Sequence, residues 1–299
     1  MFENVPARLE ESLRAACADP AVREIKDTIA AGLIIAEYLR IMSTGPDAHS
    51  FFDVKKLDGG GVSYEHTVRV GIIAQCLFDL RSTSGFSEIC RRFKGRDFRA
   101  TFFELFAANM LFKAGFDIQA RPEIGVKGAD FDFVASNASA TINVEVTAMN
   151  VASYSPPTVR NALEKKRSQL SSDLPAVIVC VHPETWFAHP HLDFSLMRVA
   201  YRFLRGTRRV NAIVFVGEQH MLDVNTDGFG ALFFTTVAHL NTSPRHPTPL
   251  NFLFSGSTQS PESIHRRMIG GVPLSQAFDH RTSEFHRWVD HVVPAEQDG

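Results

Sequence analysis

The chain has 299 residues, of which 44% are hydrophobic and 21% charged, and its formal net charge is -2 at pH 7. This composition is typical of a folded globular protein with one large domain or a core with an additional lobe. The balanced charge excludes a broadly basic surface, so contacts with nucleic acid have to come from local patches. The four cysteines form no C-x-x-C pair, which favours reduced thiols and a cytoplasmic protein.

The N-terminal third of the chain predicts a lobe of helices. Apolar residues recur at helical spacing from Val22 to Ile41. Within this stretch the apolar run 29–39 is interrupted by Gly32 and Glu37 and is too short to span a bilayer, so we expect no membrane segment. Residues 43–63 contain Gly-Pro and Gly-Gly-Gly and predict a loop, after which helix resumes over 64–82.

From residue 100 onward the pattern changes to alternating helices and strands. A helix is expected over about 101–114, where Gly115 ends it. The elements that follow are predicted strands near 117–121, 129–135, 141–148, 176–182, 211–216 and 231–237, and helices near 158–171, 193–205 and 282–292. We expect an α/β fold with a mixed central β-sheet flanked by helices. The predicted division is a helical lobe over 1–95, a core over 96–240 and a C-terminal extension over 241–299 that packs on the core.

One acidic residue lies on the expected buried face of the helix over 101–114. At 100° per residue, Glu104 is nearly opposite the polar Asn109 and Lys113 and in line with Ala107 and Leu111. A buried carboxylate requires a cation or strong hydrogen-bond donors. The alternative is a glutamate near the helix start that is favoured by the helix dipole.

Two predicted strands place further acids on one face of the sheet. Asp130 and Asp132 alternate with phenylalanines, and Asn143, Glu145 and Thr147 alternate with aliphatic residues. A hairpin with an even-numbered loop puts both polar faces on the same side, so one of the two aspartates lies opposite or diagonal to Glu145. Opposed like charges repel, and a bound Mg²⁺ or Mn²⁺ resolves the repulsion. The alternative is a hairpin with one solvated face.

Helix glutamate, Gly128-Ala-Asp130 on a strand and Glu145-Val-Thr147 on the next strand resemble the PD-(D/E)XK nuclease superfamily, over about residues 97–185. The resemblance implies a restriction-endonuclease-like core and Mg²⁺-dependent hydrolysis of phosphodiester bonds, most often in DNA. The metal ligands that it implies are Glu104, Asp130, Glu145 and the backbone carbonyl of Val146, with Asp132 as an auxiliary acid. The resemblance is also compatible with a homodimer, but the sequence does not determine the oligomeric state.

The resemblance departs from the superfamily pattern at Thr147, which stands where the motif has a lysine. Threonine can hydrogen-bond a water molecule but carries no charge. In the helix over 158–171, Lys166 falls within the inward apolar stripe and Gln169 at its edge, so they are candidates to replace it. The alternative is that Lys166 extends outward along the apolar face. Lys127, just before the strand, is a weaker candidate.

Three other groups of residues invite a functional interpretation. A basic cluster interleaved with phenylalanines is a candidate for nucleic-acid backbone contacts, or else a solvated helix face; it consists of Arg91, Arg92, Lys94, Arg96 and Arg99. The segment Arg205-Gly-Thr-Arg208-Arg209 is a basic helix end that the helix dipole explains. The spacing of His182, His189 and His191 matches no standard zinc pattern.

The sequence therefore predicts a metal-dependent nuclease, most readily a DNA endonuclease, with catalytic residues Asp130, Glu145, Thr147, Lys166 and Gln169. A second interpretation, based on Thr147, is a nuclease-fold module that has lost catalysis and binds nucleic acid or a protein. A third is a structural protein in which Asp132 and Glu145 pair with arginines.

Overall fold

The structure is a computed structural model that describes residues 5–23, 25–40, 64–122, 125–126, 130–222, 230–250, 268–269 and 284–294. The described residues fall into two compact units. The first holds those up to Ser82, the segment Cys90–Phe98 and the C-terminal helix. The second holds Thr83–Ile89 and the residues from Arg99 to Ile269. The predicted loop over 43–63 lies outside the described residues.

The helices are α1 (Val5–Ala16), α2 (Pro20–Arg23), α3 (Lys26–Leu39), α4 (Tyr64–Leu80), α5 (Phe86–Gly95), α6 (Phe98–Lys113), α7 (Pro156–Gln169), α8 (Leu192–Arg205) and α9 (Glu284–Val292). The strands are β1 (Asp117–Ala120), β2 (Phe133–Ser136), β3 (Thr141–Ala148), β4 (Ala176–His182), β5 (Ala212–Leu222), β6 (Gly230–Leu240) and β7 (Met268–Ile269). A 3₁₀ helix covers Glu184–Ala188. In the described part of the chain, no helix has the length and apolar character needed to cross a membrane.

The second unit is built on one mixed sheet whose seven strands lie in chain order. Strands β1, β2 and β3 pair antiparallel, β3, β4 and β5 pair parallel, and β5, β6 and β7 pair antiparallel. The α/β class and the mixed sheet flanked by helices are thus confirmed. The predicted strand over 129–135 is shorter than expected, since β2 begins at Phe133.

The centre of the sheet is covered on both faces, which explains its apolar sequence. All seven residues of β4 are buried, as expected of a parallel strand that lies between layers of helices. On one face, Ile178 and Cys180 pack with Val159 and Leu163 of α7 and with residues of α8. Burial of these side chains is the main term that holds α7 against β3 and β4.

The first unit is helical, as predicted for the N-terminal part of the chain. Helix α9 packs on α3 and α4, where the rings of Phe78 and Phe285 lie 6.2 Å apart and Lys26 Nζ donates to Asp290 at 2.7 Å. The C-terminal extension was predicted to pack on the α/β core, and α9 differs from that prediction. Its apolar face, with Phe285 and Val289, is buried in this unit instead.

Candidate active site

The β2–β3 hairpin brings two acids together. Ser136 pairs with Thr141 and Phe133 with Val144, so the loop is residues 137–140 and meets the even-numbered condition under which both polar faces lie on the same side. The side chain of Asn137 accepts the N–H groups of Ser139 and Ala140 and fixes this turn. Continuing the register by one residue sets Asp132 directly opposite Glu145.

Asp132 is held in place by the backbone of the neighbouring strand. The Val146 N–H donates to its Oδ2 at 2.7 Å, and the residue is only 6% exposed. The strand pairing through Phe133 stops just before this point, so the carboxylate takes an N–H that the sheet leaves open. The contact directs the Asp132 side chain towards the polar face of β3.

Glu145 is completely buried, at 0% exposure, in the middle of β3. Lys166 from α7 donates its Nζ to Oε1 of Glu145 in an ion pair. The other oxygen, Oε2, is buried and has no hydrogen-bond partner among the described residues. The predicted inward orientation of Lys166 is confirmed, and half of the Glu145 carboxylate remains available to a ligand.

The charges in this group act strongly on one another. Burial raises the pKa of Glu145, the nearby Asp132 raises it further, and Lys166 opposes both. Burial lowers the pKa of Lys166, but the carboxylates of Glu145 and Asp132 outweigh burial, so that its pKa is raised overall. Lys166 therefore stays protonated, and the site has a fixed positive charge between acids.

Glu104 on α6 belongs to the same group. It is half-buried, and its charge raises the pKa of both Glu145 and Lys166. The first turn of α6 is tied to the end of β3, because Arg99 Nη1 donates to Met149 O at 3.2 Å and to Asn150 Oδ1 at 3.0 Å. Helix α6, which carries Glu104, is thus tied to the end of β3.

Asp130 contacts the end of α7 through its backbone. Its backbone N–H donates to Gln169 O at 3.3 Å, and Gln169 Nε2 donates to Asp130 O at 3.4 Å. Asp130 is thus anchored to the end of α7, and Asp132 is the aspartate opposite Glu145. The Oε1 of Gln169 has no hydrogen-bond partner among the described residues. Lys127 lies outside the described part of the chain.

The same face of β3 carries Thr147 and a residue that the sequence interpretation did not select. Thr147 is half-buried two residues after Glu145 and pairs with Cys180 in the sheet register. Asn143 is 0% exposed, and neither amide atom has a hydrogen-bond partner among the described residues. Its alternation with Glu145 was the available signal, because a polar residue on a buried face needs a partner.

Carboxylate oxygens are the type of ligand that a hard divalent cation prefers, but the described side chains do not form a complete set of such ligands. Asp132 and Glu145 offer oxygen ligands on facing strands, and the unpartnered Oε2 of Glu145 is a buried acceptor. Within the described ranges, no three His, Cys, Asp or Glu side chains form a group that could hold a metal ion. The N–H of Val146 binds Asp132, and its carbonyl, expected as a ligand, stays a prediction.

The basic cluster near α5 is not one surface. Arg92 is 3% exposed, so the prediction that it contacts nucleic acid is wrong. Arg91 and Lys94 are exposed and Arg96 is half-buried. Arg99 is half-buried, and its guanidinium is engaged by the end of β3 and lies over the Phe103 ring.

His182 is a core residue of the second unit. It is buried, its ring is stacked with Trp186 at 5.6 Å, and its Nδ1 lies 3.3 Å from Pro183 O. Burial lowers the pKa of His182 to about 4. His191 is exposed just before the start of α8 while His182 is enclosed, and the histidines form no zinc cluster among the described residues.

Comparison of the chain with models of protein families, with curated proteins and with solved structures found no match. The function is therefore inferred from the site itself. The residues that the fold brings together there are Glu104, Asp132, Glu145 and Lys166, with Asn143, Thr147 and Gln169 around them.

Proposed function

We propose that the protein is a metal-dependent nuclease that hydrolyses phosphodiester bonds, most readily those of DNA. The observation that carries the proposal is the buried carboxylate of Glu145, which faces Asp132 and has one oxygen on Lys166 and the other without a partner. Such an arrangement is costly for stability unless a ligand uses it. Two acids and an inward lysine on adjacent elements are suited to a cation and a phosphate.

The side chains of Asp132 and Glu145 would hold the Mg²⁺ or Mn²⁺ ion, with Glu104 near enough to add negative charge. When bound, such an ion polarises the phosphate and increases the acidity of a water molecule. Asp132 is already oriented by the Val146 N–H, so its carboxylate requires little reorganisation to bind a ligand. This assignment moves the strand aspartate of the motif from Asp130 to Asp132.

Lys166 is the residue that would compensate for Thr147. Its ammonium lies among carboxylates on the face where the motif lysine is expected, and α7 supplies it instead of β3. There it would orient the attacking water and offset the charge of the phosphate. The water oxygen forms the new bond to phosphorus, the bond to the leaving oxygen breaks, and that oxygen takes a proton. The unpartnered Oε1 of Gln169 is a further acceptor for a water molecule.

The test is cleavage of supercoiled and linear DNA in Mg²⁺ or Mn²⁺ by the wild type and by Asp132→Asn, Glu145→Gln and Lys166→Met. The proposal expects cleavage by the wild type and a loss of about 100-fold or more in each variant. Activity that is equal in all four proteins comes from a contaminant or from another site and would overturn the proposal. Circular dichroism of each variant separates loss of chemistry from loss of folding.

A second candidate is a nuclease-fold module without catalysis. It is favoured by the ion pair, because the ammonium of Lys166 already supplies the positive charge that Glu145 requires. It is also favoured by the absence, in the described ranges, of a group of three metal-ligating side chains. Titration calorimetry with Mn²⁺ distinguishes the two: no heat of binding, with DNA binding retained, supports the inactive module.

A further inference from the structure

Helix α8 and the loop after it carry a concentration of positive charge. Between Phe194 and Gly217 there are five arginines and no acidic residue; the arginines are Arg198, Arg202, Arg205, Arg208 and Arg209. No salt bridge joins any of these arginines to an acid among the described residues. All of them except the half-buried Arg209 are exposed. The segment thus has a local surplus of positive charge that no ion pair among the described residues neutralises.

The helix dipole accounts for only part of this charge. Arg202 and Arg205 lie in the last turn of α8, where cations are favoured by the helix carbonyls. Arg208 and Arg209 come after Gly206, beyond the helix, where the dipole effect has fallen off. The dipole of α8 therefore covers Arg202 and Arg205, whereas Arg209 donates to carbonyls at the end of α7.

Next to this segment is a cleft of about 310 Å³ lined by Arg167, Ser168, Thr207 and Arg209. Every one of these side chains has a hydrogen-bond donor, and two carry a permanent positive charge. Arg167 also pairs with Glu164 at 2.5 Å. A group that accepts hydrogen bonds and carries negative charge is the ligand that such a lining selects.

The guanidinium of Arg209 is fixed before any ligand arrives. Its Nη1 donates to Arg167 O at 3.4 Å and to Leu170 O at 3.5 Å, at the end of α7. Its backbone N–H donates to Thr207 Oγ1 at 3.2 Å, which closes the loop. Only Nη1 is engaged in these contacts, so Nε and Nη2 remain available for a ligand. A planar guanidinium held in this way is suited to bind phosphate oxygens in pairs.

The cleft and the candidate active site share one turn of α7. Lys166 on this turn binds Glu145, its neighbour Arg167 lines the cleft, and Gln169 binds the backbone of Asp130. We propose that this cleft binds a backbone phosphate of the nucleic-acid strand, away from the bond that is cleaved. The proposal rests on the nuclease function, and it gives that function a positioning site on the α7–α8 side.

The test measures binding of a short labelled DNA duplex by fluorescence anisotropy in EDTA, so that no cleavage occurs. The variant Arg167→Gln/Arg209→Gln removes the two charges that line the cleft. The matched control, Lys113→Gln/Arg160→Gln, removes two charges from exposed positions on α6 and α7. We expect the cleft variant to bind about tenfold more weakly and to lower the salt dependence by about two counterions, whereas the control stays close to wild type.

A second variant keeps all arginines and therefore guards against misfolding. Ser168→Asp adds a negative charge to the cleft, and we expect it to weaken binding as the double variant does. Equal losses of DNA affinity in the cleft and control variants would overturn the proposed phosphate site, because they would show that only the net charge matters. If the wild type cleaves DNA and the cleft variant binds DNA as tightly as the wild type, the phosphate site is overturned and the nuclease function is not. If the cleft variant binds DNA more weakly but the wild type cleaves DNA in no metal, the nuclease function is overturned and the phosphate site is supported.

Discussion

Lys166 and Glu145 form an ion pair in which only one carboxylate oxygen takes part. Nζ donates to Oε1, and Oε2 stays buried without a partner among the described residues. The carboxylate has 0% exposure and Lys166 is 20% exposed at its side chain. An ion pair of this kind is weak evidence for stability, because desolvation of both groups offsets their attraction. The proposed nuclease function gives the pair a role, because a bound cation would complete the coordination of Oε2.

Replacing Lys166 by Met should destabilise the protein, since it leaves Glu145 buried without its cation. Loss of one partner of a buried pair lowers the free energy of unfolding by about 3 kcal/mol, and protonation of Glu145 limits the loss. The measurement is urea unfolding at neutral pH. Lys165→Met, at the exposed neighbouring position, is the control and should change the free energy by less than about 0.5 kcal/mol.

The double variant Glu145→Gln/Lys166→Met completes a thermodynamic cycle. We expect it to be more stable than Lys166→Met alone, because a neutral amide costs less to bury than an unpaired carboxylate. An additive result, with no coupling between the two positions, would contradict the ion pair as the main contact of Lys166.

Asp132 and Asp130 should respond differently to the same substitution. Asp132→Asn should reduce cleavage by about 100-fold or more, since its carboxylate faces Glu145. Asp130→Asn should leave cleavage near the wild-type level, because the hairpin acid that raises the pKa of Glu145 is Asp132. Cleavage assays in Mg²⁺ compare the two. The opposite order of effects would restore Asp130 as the metal-binding acid.

The difference between these aspartates shows how far the sequence could be interpreted. Alternation over 129–135 and 141–148 predicted a hairpin with one polar face if its loop was even-numbered, and the register has a loop of four residues. Alternation alone places Asp130 and Asp132 on the same face and cannot choose between them. The choice depends on where pairing ends, and β2 begins only at Phe133, so the side chain of Asp132 rather than backbone meets Val146.

The surroundings of helices α6 and α7 could be predicted only in part, for a different reason. Asn109 was assigned to the polar side of α6, yet it is 3% exposed, because the helix is buried nearly all round. Helical periodicity finds one apolar stripe and does not report how many neighbours a helix has. The inward position of Lys166 was predictable from the stripe through Val159 and Leu163, but its partner could be identified only in the fold.

Gly217 should not tolerate a side chain. A Cβ at this position would lie 2.5 Å from Phe187 Cζ and 2.6 Å from His182 Cε1, and both rings are packed in the second unit. Gly217→Ala should therefore lower the free energy of unfolding by about 2 kcal/mol through overpacking. Gly71→Ala is the control, because nothing lies within 4 Å of its added Cβ. Alanine favours helix over glycine, so this change in α4 should raise the free energy of unfolding by up to about 1 kcal/mol. Thermal unfolding of both variants checks the contrast.

His182 should make the stability of the protein depend on pH in the acid range. Burial lowers the pKa of His182 to about 4 from its ordinary value of 6.5, so the folded state keeps the imidazole neutral where the unfolded state protonates it. Between these two values the unfolded chain binds more protons, and the free energy of unfolding falls as pH falls. The loss through this residue from pH 7 to pH 5 is about 2 kcal/mol.

Urea unfolding of the wild type and His182→Phe at pH 7 and pH 5 measures this contribution. Phenylalanine keeps an aromatic ring against Trp186 and cannot be protonated, so the variant should lose about 2 kcal/mol less than the wild type on acidification. His191→Gln, at an exposed position, should keep the wild-type slope. An equal loss of unfolding free energy in the wild type and His182→Phe would mean that solvent reaches the imidazole in the folded protein. That result would also contradict the tight packing around His182 on which the prediction for Gly217 depends.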